Sequence, residues 1–299
     1  MTDKNGPEQN SDKDFVSSSA FQKSINKTRR KQFILYILIS LITITVSMIV
    51  IFSGSRYLID KKIQKEDRKL TELYIESNIG AGILEYSTMY EHDLFSSTSK
   101  TTFYKKIGDR KIVWDIVTKK YPIFGNVETT DLGSGRVELN HFNEEANRVI
   151  RYNQLNNERF IDFYDPSTEY SYLPQELDIA TGLESENKLI EVALSFYEPM
   201  ELGQLGEVLG YENVDWLWEH SPLQKQDQSP NLEKDTNKVI NAQNAKGFPV
   251  SERSPYFENS FIDSKIIGAI ISGTPKELER FQELDIIRAS VIGVTIDKY

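Results

Sequence analysis

Cysteine is absent from all 299 residues, which excludes disulfides, a thiol nucleophile and thiolate metal ligation. It suits an exported domain in an organism that does not rely on disulfides. Histidine is scarce: His92, His141 and His220 are scattered, without the spacing of a metal site or a catalytic triad, and each reads as a surface or satisfied structural residue. No Gly-x-Ser-x-Gly elbow, Walker loop, dinucleotide fingerprint or His-Glu-x-x-His helix occurs. Gly80-Ala81-Gly82 is too short to cradle a phosphate. The neighbouring acids Glu144 and Glu145, and Glu184 and Glu186, read as solvated charge in an acidic chain. No residue is nominated as catalytic, cofactor-binding or metal-ligating, and the expectation is a protein that is not an enzyme.

Charge is missing altogether between Lys31 and Arg56, where Phe33 to Ser53 form one apolar run, FILYILISLITITVSMIVIFS. A helix of 21 residues rises roughly 31 Å at 1.5 Å per residue, which matches a hydrocarbon core of about 30 Å. Fourteen of them are Leu, Ile, Phe or Val, each worth about −0.3 to −0.6 kcal/mol at a helix centre, so insertion is favoured despite Ser40, Thr43, Thr45 and Ser47. A buried core helix rarely stays apolar all round for this length. The run also exceeds the apolar region of a cleaved signal peptide and follows a head of 32 residues, so an uncleaved signal-anchor is expected, although Ser53-Gly54-Ser55 resembles a cleavage site.

Lys23, Lys27, Arg29, Arg30 and Lys31 precede the run, and Arg56, Lys61, Lys62, Lys65, Arg68 and Lys69 follow it, so the two flanks nearly tie by count. Density breaks the tie. Arg29 to Lys31 abut the run with no nearby acid, whereas the far flank is diluted by Asp60, Glu66, Asp67 and Glu72. The N-terminus is therefore placed in the cytoplasm. Residues 1–69 carry 13 Lys and Arg against 7 Asp and Glu, while residues 70–299 carry 22 against 38. A large part so acidic argues against direct nucleic-acid binding, which needs clustered Lys and Arg.

The pattern divides the chain into a basic tail (1–32), a transmembrane helix (33–53), a helical stalk (54–76), an N-terminal outer region (77–185) and a C-terminal α+β domain (186–299). Residues 1–14 read as a disordered tip. Phe21, Ile25 and Thr28 then recur at helical spacing, a short basic helix with Ser17 to Ser19 available as an N-cap. Thr101 to Lys105 and Lys111 to Val117 alternate as strands, and Asn126 to Val137 reads as a turn. Arg148 to Tyr152 and Phe160 to Tyr164 are short runs of either type.

The last third is clearer. Glu191 to Tyr197, Asn213 to Glu219, Ile266 to Ser272 and Ile286 to Ile296 read as strands. Glu201 to Leu209 is a helix ended by Gly210, and Thr274, Pro275 and Glu277 open another that reaches about Leu284. Gln224 to Ala245 reads as a polar loop or a solvated helix. The expected fold class is α+β: one N-terminal transmembrane helix, then a two-part outer region whose C-terminal part is a sheet with helices on one face.

Two groups of residues are candidate binding sites. Trp216 and Trp218 alternate with Asp215, Leu217 and Glu219, and so share one strand face with Val214; they form either sheet core or an aromatic platform for a glycan or peptide. In the tail, Phe15, Phe21, Ile25, Arg29, Arg30 and Lys31 form either an electrostatic anchor on membrane lipid or a docking segment for a cytoplasmic protein.

Several stretches together resemble the sigma factor regulator family, membrane-bound anti-sigma factors of Gram-positive, Bacillus-like bacteria. They are FQKSINKTRRKQFILYILISL (21–41), LYIESNIGAGILEYSTMYEHDLFSS (73–97), TTFYKKIGDRKIVWD (101–115), VALSFYEPMELGQL (192–205), VDWLWEHS (214–221), KIIGAIISGTPKELERF (265–281) and IIRASVIGVTIDKY (286–299). The resemblance implies N-terminal and C-terminal family domains outside the membrane. It also implies a cytoplasmic tail that restrains an extracytoplasmic-function sigma factor while the outer part reports envelope conditions. The tail has no His or Cys for a zinc-bearing sigma-binding domain, and 32 residues bury no core of their own. Such a tail grips its partner by folding on it, or with the help of a second membrane subunit. The alternative is a surface-tethered module that binds cell-wall glycan or a partner membrane protein without a role in transcription.

Overall fold

The computed structural model describes residues 19–72, 82–131, 138–143, 148–220, 239–250 and 265–299. The chain divides into two compact units, Met1–Leu58 and Ile59–Tyr299. One helix, α1 (Ser19–Thr71), contributes to both. It is continuous through the basic segment, the apolar run and the stalk because nothing in it breaks a helix: it holds no proline, and its single glycine is Gly54. Thr43 and Thr45 donate their hydroxyls to the carbonyls of Ile39 and Leu41, so these polar groups are satisfied within the helix. The apolar run is exposed on every side, and the helix is long and apolar enough to cross a bilayer.

The second unit begins with the end of α1 laid on a four-stranded antiparallel sheet, β1 (Ile83–His92), β2 (Ser96–Ile107), β3 (Arg110–Pro122) and β4 (Glu128–Asp131), in that spatial order. Ile59 and Ile63 of the helix bury against Tyr121 of β3. Polar contacts flank this small core. Tyr90 donates to both oxygens of Asp67, and Lys119 pairs with Glu66 at 2.9 Å. The ammonium of Lys62 donates to the carbonyls of Pro122, Ile123 and Gly125 at 2.5, 3.1 and 2.9 Å, which uses all three of its protons.

Two small antiparallel pairs follow, β5 (Glu138–Asn143) with β6 (Arg148–Asn153), and β7 (Asp162–Phe163) with β10 (Ile240–Asn241). The last third builds a five-stranded antiparallel sheet from β8 (Lys188–Glu201), β9 (Val214–Glu219), β11 (Gly247–Pro249), β12 (Lys265–Gly273) and β13 (Ile287–Asp297), in the order β11-β9-β12-β8-β13. Helix α3 (Leu202–Leu209) joins β8 to β9, and α4 (Pro275–Leu278) joins β12 to β13. Each strand-helix-strand unit admits a strand of the other between its own two, which is the split β-α-β arrangement of ferredoxin-like folds.

All helices of this sheet lie on one face, as the apolar pattern predicts. Leu177 and Ala180 of α2 (Leu177–Thr181), Leu205 and Leu209 of α3, and Leu278 and Phe281 bury with Val192, Leu194, Ala269 and Ile271 in the main core. The helix expected to reach Leu284 is shorter: α4 gives way to a 3-10 turn at Glu279–Phe281. Leu278 and Phe281 both enter the core, and the 3-10 geometry eclipses residues three apart. Its opening is as expected, a capping box between Thr274 and Glu277 with Pro275 in the first turn.

Residues Asn126–Val137 are not simply a turn, since Glu128–Asp131 pairs with β3; 132–137 lie outside the described residues. Ala242 and Ala245, placed by the sequence pattern in a polar loop or solvated helix, are buried in the second core; 221–238 lie outside the described residues. The division expected at 185/186 falls inside one body. Ile161 and Phe163 pack into the second core and Leu177 into the first, because a five-stranded sheet needs cover on both faces. One edge of that sheet carries a proline and the other is partly paired. Pro249 ends β11, and Pro174 to Glu176 run along β13, where Pro174 accepts from the Ser290 N–H and Glu176 donates to the Ser290 carbonyl.

Candidate functional site

The tail candidates lie on α1, apart from Phe15, which is outside the described residues. Phe21, Ile25 and Thr28 fall on one helical stripe, with Thr28 donating to the Ser24 carbonyl. Arg29, Arg30 and Lys31 are exposed at the mouth of the apolar run. The structure thus joins five of the six tail residues on one helix, with its apolar stripe ahead of its basic collar.

Trp216 and Trp218 do share a face, but it is an interior one. They are 3% and 0% exposed, and Phe163 stacks on both, with ring centroids 6.1 and 4.6 Å apart. No ring face is left for a glycan or peptide, so the surroundings are those of sheet core and not of an open platform. Val214, expected beside them, lies on the opposite face in the main core with Leu217. The cause is a bulge: Ile270 pairs with Trp216 but Ile271 pairs with Val214, so Asp215 is the extra residue and the alternation slips there.

That bulge delivers Asp215 to a polar seam between the two larger sheets. Lys105 on β2 pairs with Glu191 on β8 at 2.6 Å, both side chains buried, and its ammonium lies 4.3 Å from the centre of the Trp114 ring. Glu191 also accepts from the Val294 N–H at 3.2 Å. Next to it, the Ser272 hydroxyl donates to the Asp215 carboxylate and accepts from the Gly108 N–H at 2.8 Å. Glu158 accepts from the Thr295 N–H at 3.0 Å. Burial pushes the Asp215 carboxyl up to about 7, with the Ser272 hydrogen bond opposing and the charge of Glu191 adding to the rise. Burial raises Glu158 as well, again with help from Glu191. Ile107, Trp114, Phe160, Leu189 and Val294 seal the seam with apolar contacts.

A second buried ionic cluster ties β6 to the sheet. Arg148 donates to both oxygens of Glu176 at 2.7 and 3.1 Å, Asp162 meets Arg148 and Arg151, and Glu176 also accepts from the Ile292 N–H at 2.8 Å. These charges answer one another, and such arrangements fix the packing of elements. Among the described residues, no group of three or more His, Cys, Asp and Glu is placed to hold a metal ion. His92 stacks on Tyr90 and shares a hydrogen bond with Ser97, and Glu184 and Glu186 are exposed.

Sequence patterning did not single out the seam, although two signals for it exist. Every odd position of β2 from Ser97 to Ile107 is buried, so Lys105 sits in phase with the interior. Glu191, with Ser195, interrupts an otherwise apolar run, Leu189 to Phe196, in a strand buried on both faces over those positions. An α+β chain headed by one long apolar helix is thus defined by its own architecture. No protein-family model, curated protein or solved structure matches it.

Proposed function

We propose that this protein is a membrane-anchored regulator of an extracytoplasmic-function sigma factor. Its tail lies in the cytoplasm and restrains the factor. Its second unit lies outside and responds to the state of the envelope. The observation that carries the reading is α1 itself. One uninterrupted helix bears a basic collar with an apolar stripe, then an uncharged, mostly apolar run of 21 residues exposed all round, and then Ile59 and Ile63 in the core of a folded domain. A helix exposing so much apolar surface is costly in water, at roughly 25 cal/mol per Å² left unburied, and favourable in lipid.

The resemblance of the tail, the stalk region and the C-terminal strands to sigma factor regulators supplies the identity of the partner. The tail suits a segment that folds on binding: Phe21 and Ile25 offer an apolar stripe for a groove, and Arg29, Arg30 and Lys31 steer it and hold the cytoplasmic end. Membrane lipid is the second partner, and a further membrane subunit is the third where the tail needs support.

The experiment is crosslinking from Phe21 and Ile25 in intact cells, paired with deletion of residues 1–32. Capture of a sigma factor and release of its regulon on deletion support the reading. Transcription of every envelope-stress regulon unchanged by the deletion sinks it.

A further inference from the structure

We infer that the loop tips carrying Leu94, Phe95 and Phe124 seat the folded unit on the bilayer surface, among anionic phospholipid headgroups. The inference rests on the membrane reading of Phe33–Ser53 and not on the sigma factor. Leu94 and Phe95 lie in the turn from β1 to β2 and Phe124 follows β3; they are 49%, 57% and 86% exposed. The two tips are neighbours, since the Ile123 N–H donates to the Phe95 carbonyl at 3.0 Å. A single exposed apolar side chain is ordinary, but three large ones at one end of a sheet mark a surface that meets something apolar.

The place of these tips along the chain identifies what that is. Along β3, Lys119 pairs with Glu66, Tyr121 packs on Ile59 and Ile63, and the loop beyond it takes the ammonium of Lys62. The Phe124 loop is thus held by Lys62, on the part of α1 that belongs to the second unit. Lys62 is nine residues past Ser53, or about 14 Å of helix. The headgroup layer of one leaflet occupies roughly 5–8 Å of that. What remains is close to the reach of a phenylalanine side chain from the loop that Lys62 holds.

The chemistry of the intervening helix agrees. Tyr57 and Lys61 are exposed there and Lys65 just beyond, with Arg56 half-buried, an aromatic and basic set of the type found at headgroup level beside anionic lipid. The acids at this end are Asp60, Glu91, Asp93 and Glu128, of which Asp93 accepts from Ser96 at 3.3 Å.

The test uses the full-length chain, which contains no cysteine of its own. Asn126→Cys keeps all three apolar side chains; Val50→Cys and Tyr299→Cys report the apolar run and an exposed site for comparison. Each variant carries one environment-sensitive fluorophore and is reconstituted into phosphatidylcholine and phosphatidylglycerol vesicles with nitroxide-labelled lipids. The expected result is a blue shift at Asn126→Cys and loss of its emission to a headgroup-level quencher. Neither occurs at Tyr299→Cys, and Val50→Cys loses emission to a deep quencher. Combining Asn126→Cys with Leu94→Ser, Phe95→Ser and Phe124→Ser abolishes the shift and the quenching. If Val50→Cys is quenched while Asn126→Cys behaves like Tyr299→Cys, the seating is refuted and the span stands. A blue shift without lipid quenching means that protein, such as a second copy of this chain, covers the tips, and the lipid assignment is overturned. If Val50→Cys is not quenched, the span reading falls and this inference falls with it.

Discussion

Glu191 meets Lys105 at 2.6 Å across 86 residues of chain, and neither side chain is open to water. The pair pins β2 of the four-stranded sheet to β8, an inner strand of the five-stranded one. Lys105→Met leaves a carboxylate buried without its cation, a change that costs about 3–5 kcal/mol. Urea unfolding of the variant is expected to show that loss. Adding Glu191→Gln to Lys105→Met is expected to recover part of it, because no uncompensated charge then remains; no recovery would mean that Lys105 acts through its contact with Trp114 and not through the charge.

The same seam makes stability depend on pH in an unusual direction. The carboxyl of Asp215 is raised to about 7 in the folded state, whereas an exposed aspartate titrates near 3.9. Between these values the folded chain holds a proton that the unfolded chain has released. Stability contributed by this group is therefore complete below about pH 4 and falls as pH rises toward 7, by at most about 1.4 kcal/mol per unit. Asp215→Asn keeps the size of the side chain and removes the titration. Its unfolding free energy, measured from pH 4.5 to 8, is expected to decline less steeply than that of the native chain; an unchanged slope contradicts the assignment to Asp215.

Trp218 is enclosed by Phe163 and by the strand that passes at Gly268. Trp218→Ala empties that space and is expected to cost about 3–5 kcal/mol in chemical or thermal unfolding. A fully stable Trp218→Ala variant would show that the ring is not part of the core.

Two glycines should respond oppositely to the same substitution. A Cβ at Gly268 would meet the Leu194 carbonyl at 2.5 Å and Trp218 at 2.9 Å, and backbone in the centre of a sheet cannot retreat. Gly268→Ala is expected to destabilise by about 1–3 kcal/mol. Gly54, in α1, has nothing within 4 Å, and Gly54→Ala is expected to favour the helix by about 0.5–1 kcal/mol. Unfolding of the second unit reads the first change, and helicity by circular dichroism reads the second.

Local rules carry far in this chain where a single periodicity decides the outcome. The apolar run, the capping box at Thr274, the glycine stop after Leu209 and the four long strands of the last third follow from spacing alone. Long-range pairing is what spacing does not hold. Val214 left the face of Trp216 because β9 had to accommodate Asp215 as a bulge, and a bulge belongs to two strands at once. Phe163 and Leu177 joined a domain assigned to later residues because the sheet needed cover on faces that no local pattern reveals. Lys105 and Glu191 were each legible as an anomaly, a charge at an interior position, but the partner that makes each tolerable lies far along the sequence. Of the tail candidates, spacing placed Phe21 and Ile25 on one helical stripe and the charges behind them, and the helix keeps that order.

The two borders of the five-stranded sheet bear on how copies of this protein meet each other. Pro249 offers no N–H at one border, and Pro174 to Glu176 already use the Ser290 N–H and carbonyl at the other. If the chain is anchored in a membrane, as proposed above, its copies meet at far higher local density than in three dimensions, which is the condition under which unsaturated strands polymerise. At this sheet Pro249 withholds a donor and Ser290 is already paired, so an arriving copy finds fewer free ladder groups at either flank.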